Sequence, residues 1–301
     1  MDYVSKYAEF IKKYADIKRP LKIVCDASNG TAGIVLEKLA DIPNMEMSLI
    51  NAAPDPEFSA HGPNLLVAGA MDPLSREVLQ TGADFGVAFD ADGDRAFFVD
   101  NEGKPVPSFI IAAFWFSRSA PPFVADELIY LSLTTSGILK ESEIIPTRVG
   151  SIFIKEAVGK TGATLGAEFS GHFYFKDFFG LDSGIFSMIY TANTLSQQNK
   201  TLAQLHKEFS RQALLSTNIT LKETTWNNVK EAVKKETEPI AKSSFEREGL
   251  TIITENGWIN IRASHTEPLI RISAGATSNE IAERDLTFVT KIVQKADEKL
   301  S

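Results

Sequence analysis

The sequence predicts two consecutive α/β domains with mixed sheets, followed by a smaller α+β C-terminal domain. Three observations predict it. The chain has 301 residues, 44% of them hydrophobic, which is enough to bury sizeable cores and long for a single domain. Strand-like and helix-like segments alternate twice over the first two thirds, the pattern of mixed or parallel sheets. The last third reads helix, three strands, helix, a different element order. The expected divisions are 1–104, 105–212 and 213–301.

Tyr3, Tyr7, Phe10, Ile11 and Tyr14 recur at helical spacing, so residues 1–18 read as an amphipathic helix that docks on a neighbour. Leu21 to Cys25 reads as a buried strand, followed by a turn cluster from Asp26 to Gly33 and a helix from about Gly33 to Leu39. Met45 to Ile50, Phe85 to Phe89 and Ala96 to Val99 supply strands, and Asp72 to Gln80 a helix. The second domain opens with the apolar stretch Phe109 to Phe116. It continues as strands at Leu128 to Leu133 and Ile144 to Val149, a helix from Ser151, strands around Leu165 to Tyr174, and helices Gly184 to Leu195 and Leu202 to Phe209. Arg211 to Lys222 is polar and reads as a linker. The third domain is a helix from Thr225 to Lys235, strands Leu250 to Thr254, Trp258 to Ala263 and Leu269 to Ser273, and a long helix from Asn279.

Composition narrows the function classes. A net charge of −8 argues against nucleic-acid and anionic-membrane partners, which reward surplus Lys and Arg. No apolar run approaches the roughly 20 residues of a membrane helix. The single cysteine, Cys25, excludes an internal disulfide, and a cytoplasmic location is expected.

Three segments carry chemistry. Asp90-Ala-Asp92-Gly-Asp94-Arg95 places three carboxylates at alternate positions directly after a hydrophobic strand. Like charges at that density call for a cation, and hard oxygen donors on a tight turn suit Mg²⁺. An EF-hand is excluded, because it needs Gly at its sixth position and Glu at its twelfth, where Asn101 stands. A solvated acidic turn is the plain alternative. Arg95 is placed to hold a phosphate beside such a cation, or simply to neutralise the loop. Gly166-Ala-Glu168-Phe-Ser170-Gly-His172 combines a carboxylate, a hydroxyl and an imidazole among glycines, the groups a hydroxyl-rich ligand needs. His172 can carry a proton near neutral pH. An ordinary turn between strands fits that pattern too. In Arg262-Ala-Ser264-His-Thr266-Glu-Pro268, with Arg271 beyond, side-chain donors recur at every second position and suit a phosphate; a hairpin stabilised by hydroxyl-to-backbone bonds is the alternative.

These three loops, in this order, resemble the α-D-phosphohexomutase family of phosphoglucomutases and phosphomannomutases. Its loops have the forms Asp-x-Asp-x-Asp-Arg, Gly-Glu-x-Ser-Gly-His and Arg-x-Ser-x-Thr-Glu-Pro. The second departs here by the insertion of Ala167. The resemblance implies interconversion of hexose 1-phosphate and hexose 6-phosphate, with Mg²⁺ on Asp90, Asp92 and Asp94 and hexose 1,6-bisphosphate as activator. It also implies a phosphorylated hexose gripped by Glu168, Ser170, Arg262, Ser264, Thr266 and Arg271, with Arg95 and His172 at the chemistry. Thr147-Arg-Val-Gly150 followed by Lys155 looks like the family segment whose lysine reaches the substrate. The family's first domain carries a phosphoserine loop, and this sequence is expected to start where the second domain starts. Ala263-Ser264-His265 imitates the middle of that loop, but Arg262 and Thr266 to Pro268 assign it to the phosphate grip. The chain alone is therefore expected to bind without turnover, and a separate phosphoserine-bearing domain is an expected partner. Two rivals are a non-catalytic phosphosugar-binding protein and a haloacid-dehalogenase-like phosphatase using Asp90 as nucleophile.

Overall fold

A computed structural model describes residues 2–222, 224–264 and 268–298. The expected class holds: two mixed α/β arrangements and an antiparallel C-terminal sheet backed by helices. The chain forms two compact units, one of residues 1–124 and 154–209, the other of 125–153 and 210–301.

In the first unit, α1 (Tyr3–Lys12) is capped by the Asp2 carboxylate, which accepts from the Ser5 N–H. It is followed by β1 (Leu21–Asp26), α2 (Ala32–Leu36), β2 (Met45–Ile50), α3 (Asp72–Thr81), β3 (Phe85–Phe89), β4 (Ala96–Asp100) and β5 (Pro105–Val106). Their sheet has the order β2-β1-β3-β4-β5. β1 runs parallel to β2 and β3, and β4 turns back antiparallel on β3. The chain thus leaves β1 in one direction and returns on its other side at β3, and ligand sites favour the carboxyl ends of strands at such a switch point. The loops 26–31 and 90–95 both lie there. The rings of α1 and of Tyr14, just beyond its end, dock on another aromatic group. Tyr7 and Phe10 lie 6.2 and 5.9 Å from Phe178, Phe10 stacks on Phe179 at 5.5 Å, and Tyr14 meets Phe186 at 5.0 Å.

Next come α4 (Ser108–Phe116), β6 (Phe123–Asp126), α5 (Glu127–Thr135), β7 (Ile144–Thr147), α6 (Ser151–Thr161), β8 (Leu165–Ala167), β9 (Phe173–Phe175), β10 (Leu181–Asp182), α7 (Gly184–Ser196) and α8 (Leu202–Phe209). β8, β9 and β10 pair antiparallel in the first unit, with β6 beside β8. The strand expected at Leu128 to Leu133 is instead helix α5, and the strand is β6 just before it. The Asp126 side chain accepts from the Ile129 N–H and starts the helix. Ser132, Thr134 and Thr135 turn their hydroxyls back onto the carbonyls of Leu128, Tyr130 and Leu131, which spends those polar groups inside the helix.

The second unit adds β11 (Ala213–Thr220), α9 (Trp226–Thr237), β12 (Ser243–Phe245), β13 (Leu250–Ile253), β14 (Gly257–Ala263), β15 (Leu269–Ala276) and α10 (Asn279–Glu298). The segment expected to be a linker contains β11, which pairs along its whole length with β15. Its Leu215, Thr217 and Ile219 are half-buried while Ser216, Asn218 and Thr220 are exposed, so an edge strand with one wet face reads as polar sequence. The sheet order is β11-β15-β14-β13-β12. Val229 and Val233 of α9 and Val289 and Val293 of α10 pack on Leu250, Ile252, Ile259, Ile261, Ile270 and Ile272. No helix among the described residues is long and apolar enough to cross a membrane.

Candidate active site

β3 is buried throughout and pairs with β4 as far as Phe89↔Ala96, so residues 90–95 form the connection. Asp90 is 2% exposed. Its Oδ1 accepts the Arg95 main-chain N–H at 3.1 Å, and its Oδ2 accepts from Arg95 Nε at 2.5 Å. Gly93 takes the left-handed conformation, φ +76°, that returns the chain toward β4. The neighbouring loop supports this turn, because the Thr31 N–H donates to the Ala91 carbonyl at 2.9 Å. The three aspartates offer oxygens that all lie within 4.8 Å of one another. Burial, and then the charges of Asp90 and Asp92, push the Asp94 carboxyl up to about 6 against the opposing pull of His172. An all-oxygen donor set under that mutual repulsion fits a hard divalent cation.

The loop 168–172 lies directly against this turn. The Ala96 N–H donates to the Gly171 carbonyl at 3.1 Å, and Arg95 and His172 form an antiparallel bridge. The Gly184 N–H donates to the Gly93 carbonyl at 3.0 Å. A Cβ at Gly184 would stand 2.4 Å from the Arg95 carbonyl oxygen, so only glycine allows this approach. These main-chain bonds bring His172 Nδ1 to 3.8 Å from Asp94 Oδ1. Glu168 is buried and accepts from the Tyr174 hydroxyl at 2.7 Å. Ser170 is half-buried in the same turn.

Sequence reading missed Asp182. It pairs with Tyr174 in the β9–β10 ladder, and its two oxygens lie 3.0 Å from His172 Nδ1 and 2.9 Å from Lys155 Nζ, at ion-pair distance; His172 Nδ1 itself is buried without an aligned hydrogen bond. Burial raises the Asp182 pKa, but His172 and Lys155 outweigh it and hold the group at about 2. Burial likewise pulls His172 down, and Asp182, Asp94 and Glu168 overcome it, leaving the imidazole above its ordinary value. The available signal was a lone Asp between Leu181 and the helix-capping Ser183, which has no motif of its own.

In the second unit, Arg262 and Arg271 face each other across β14 and β15, and residues paired in this way project to the same side of the sheet. The Ser264 N–H donates to the Leu269 carbonyl at 2.8 Å and closes the hairpin. Burial, then Arg271, lowers the Arg262 pKa, opposed by Glu248 and Asp126. Such a guanidinium pair suits an oxyanion. Around it, Arg148 Nε lies 3.6 Å from Glu248 and Arg247 Nε lies 3.0 Å from Glu127. The first unit thus gathers Asp90, Asp92, Asp94, Arg95, Lys155, Glu168, Ser170 and His172, and the second carries Arg262, Ser264 and Arg271. Thr266 lies outside the described residues.

The fold and these turns define a class of α/β protein with a carboxylate set suited to a divalent cation and an arginine pair suited to an oxyanion. Family models of phosphoglucomutase/phosphomannomutase match residues 1–103 as α/β/α domain II, 122–212 as α/β/α domain III and 217–290 as the C-terminal domain. The chain belongs to the phosphoglucomutase/phosphomannomutase family. It is 27% identical over 306 residues to a phosphomannomutase of Methanocaldococcus jannaschii, covering 100% of this chain and 67% of that protein. It is 30% identical over 293 residues to a phosphomannomutase/phosphoglucomutase of Pseudomonas syringae, covering 94% and 63%. The chain spans about two thirds or less of the length of these relatives. A solved phosphoglucomutase/phosphomannomutase family protein of Burkholderia thailandensis shares the fold, with a TM-score of 0.84, 23% identity, and coverage of 100% of this chain and 66% of that one. An Aspergillus fumigatus N-acetylphosphoglucosamine mutase, described in complex with GlcNAc-6P and magnesium, matches with a TM-score of 0.67 at 15% identity, covering 98% and 65%. A variant of that mutase, described in complex with glucose 1,6-bisphosphate, matches at 0.65 with 15% identity and the same coverage.

Proposed function

We propose that this chain supplies the metal, sugar and phosphate subsites of a phosphohexomutase that interconverts hexose 1-phosphate and hexose 6-phosphate. The observation that carries the reading is the main-chain stitching that holds the three-aspartate turn against His172. Asp90, Asp92 and Asp94 would hold Mg²⁺, which when bound neutralises charge on a transferring phosphoryl group. Arg95 steadies the phosphate that faces this turn. Glu168 and Ser170 hold sugar hydroxyls, and His172 takes the proton of the hydroxyl that attacks phosphorus. Arg262, Ser264, Thr266 and Arg271 hold the phosphate that is not transferred. In the transfer, the hydroxyl oxygen bonds to phosphorus as the serine oxygen–phosphorus bond breaks, and the second half-reaction returns the other phosphate. The three domains on this reading are 1–104, 105–212 and 213–301, acting with a phosphoserine-bearing domain and activated by hexose 1,6-bisphosphate. The single, free cysteine, Cys25, also favours a reducing, cytoplasmic setting.

The test is conversion of glucose 1-phosphate to glucose 6-phosphate with Mg²⁺ and catalytic glucose 1,6-bisphosphate, by the chain alone and with a separately made phosphoserine domain of a related mutase. Activity only with the added domain is the expected result. Activity of the chain alone would overturn the requirement for that domain. Silence in both mixtures despite docking, for mannose and glucosamine phosphates as well, would leave a phosphosugar-binding protein.

A further inference from the structure

The main chain of Glu168 is fixed on both sides. Its N–H donates to the His172 carbonyl at 2.9 Å, and its carbonyl accepts from the Gly171 N–H at 3.0 Å. These bonds set where the side chain begins but not where its carboxylate ends, because several rotatable bonds separate the two. Tyr174 removes that freedom. Its hydroxyl donates to Glu168 Oε2 at 2.7 Å, and both residues are buried. A hydroxyl at that distance from a carboxylate makes a charge-assisted bond, of the stronger kind.

Tyr174 is itself held in place. It is the middle residue of β9, paired with Gly166 of β8 on one side and with Asp182 of β10 on the other. A Cβ at Gly166 would stand 3.1 Å from Tyr174 Cβ and 3.4 Å from its Cδ2, so that glycine supplies the space in which the tyrosine is seated. Lys155 Nζ lies 5.9 Å from the centre of the ring, within the range of a cation–π attraction. The glycine that opens the 166–172 motif thus makes room for a ring on the next strand, and that ring returns its hydroxyl to the carboxylate two residues beyond the glycine.

We propose that Tyr174 is a positioning residue that fixes the Glu168 carboxylate in the orientation from which it meets the sugar hydroxyls. The inference rests on the assignment of Glu168 to the sugar under the mutase reading. Tyr174 acts on the hexose only through Glu168. Without the hydroxyl, the sugar has to order the carboxylate as it binds, and affinity falls by that cost.

The experiment is a double-mutant cycle on Tyr174 and Glu168, read by titration calorimetry with glucose 6-phosphate. Inorganic phosphate, which has no sugar hydroxyl, and Mn²⁺ serve as further probes. Tyr174→Phe should weaken glucose 6-phosphate by roughly 3- to 10-fold, the cost of ordering one rotamer-rich side chain on binding, and leave inorganic phosphate and Mn²⁺ as in wild type. Glu168→Ala should weaken glucose 6-phosphate further, and Tyr174→Phe added to it should cost nothing more. Equal weakening by Tyr174→Phe in both backgrounds would overturn the proposal, as would a single variant that binds glucose 6-phosphate like wild type. Parallel losses for inorganic phosphate and Mn²⁺ would mark a general disturbance of the fold and overturn it too. Failure of the underlying reading looks different: Glu168→Ala itself would then leave glucose 6-phosphate binding unchanged. Binding needs no turnover, so every arm can be read on this chain alone.

Discussion

Glu127 begins α5 with its carboxyl group fully buried, and burial raises its pKa, opposed by Arg247 and reinforced by Glu248, up to about 7. In the unfolded chain the same group titrates near 4.5. Between these values the folded unit keeps a proton that the unfolded chain has released, so stability falls as pH rises across the window. Below 4.5 both states are protonated, and above about 7 both are charged and the full cost is present. At about 1.4 kcal/mol per pH unit, the window corresponds to about 3 kcal/mol. Glu127→Gln keeps the shape and removes the titration. The assay is hydrogen exchange in peptides from residues 125–153 and 210–298, corrected for intrinsic rates, at about pH 5 and about pH 8. Wild type should lose protection between the two values, and the variant should lose less by on the order of 2 to 3 kcal/mol. An equal loss in both proteins would refute the assignment of that charge to Glu127.

Other outcomes follow from the same geometry. Asp92→Asn, at an exposed position on the aspartate turn, should abolish detectable Mn²⁺ binding by electron paramagnetic resonance while the fold persists. Gly184→Ala forces a Cβ onto the Arg95 carbonyl and should displace the aspartate turn at a cost of about 1 to 3 kcal/mol, read as a lower melting temperature together with weaker Mn²⁺ binding. Arg262→Ala or Arg271→Ala should weaken glucose 6-phosphate binding roughly 10- to 100-fold by titration calorimetry, as expected when one charge-assisted hydrogen bond to the phosphate is removed. Tyr174→Phe removes the hydroxyl that donates to buried Glu168 and should cost about 1 to 3 kcal/mol in chemical denaturation.

The loops were legible in the sequence because their chemistry is local. Asp90 to Arg95 is a charge density that no strand or helix interior tolerates, and Phe85 to Phe89 ahead of it has only one reading. Elements whose partners are distant were harder. Leu128 to Leu133 carries β-branched, aromatic and apolar residues in a run buried on nearly every side, so helical and strand periods both vanish from it, and the deciding signal was the Asp126 cap. Ala213 to Thr220 becomes a strand only because β15 is there to pair with it. Asp182 matters because a hairpin returns it to His172, a coincidence of space with no trace in the spacing of either residue.

Because the Ala96–Gly171 and Gly184–Gly93 hydrogen bonds run through peptide groups, the main chains of the aspartate turn and of the 168–172 turn are held together without recourse to the side chains that face a ligand. Ligand-facing side chains on the two turns can therefore change while these two main-chain bonds persist. A search for altered specificity can vary Ser170, and should leave Gly184 and the Glu168–Tyr174 pair alone.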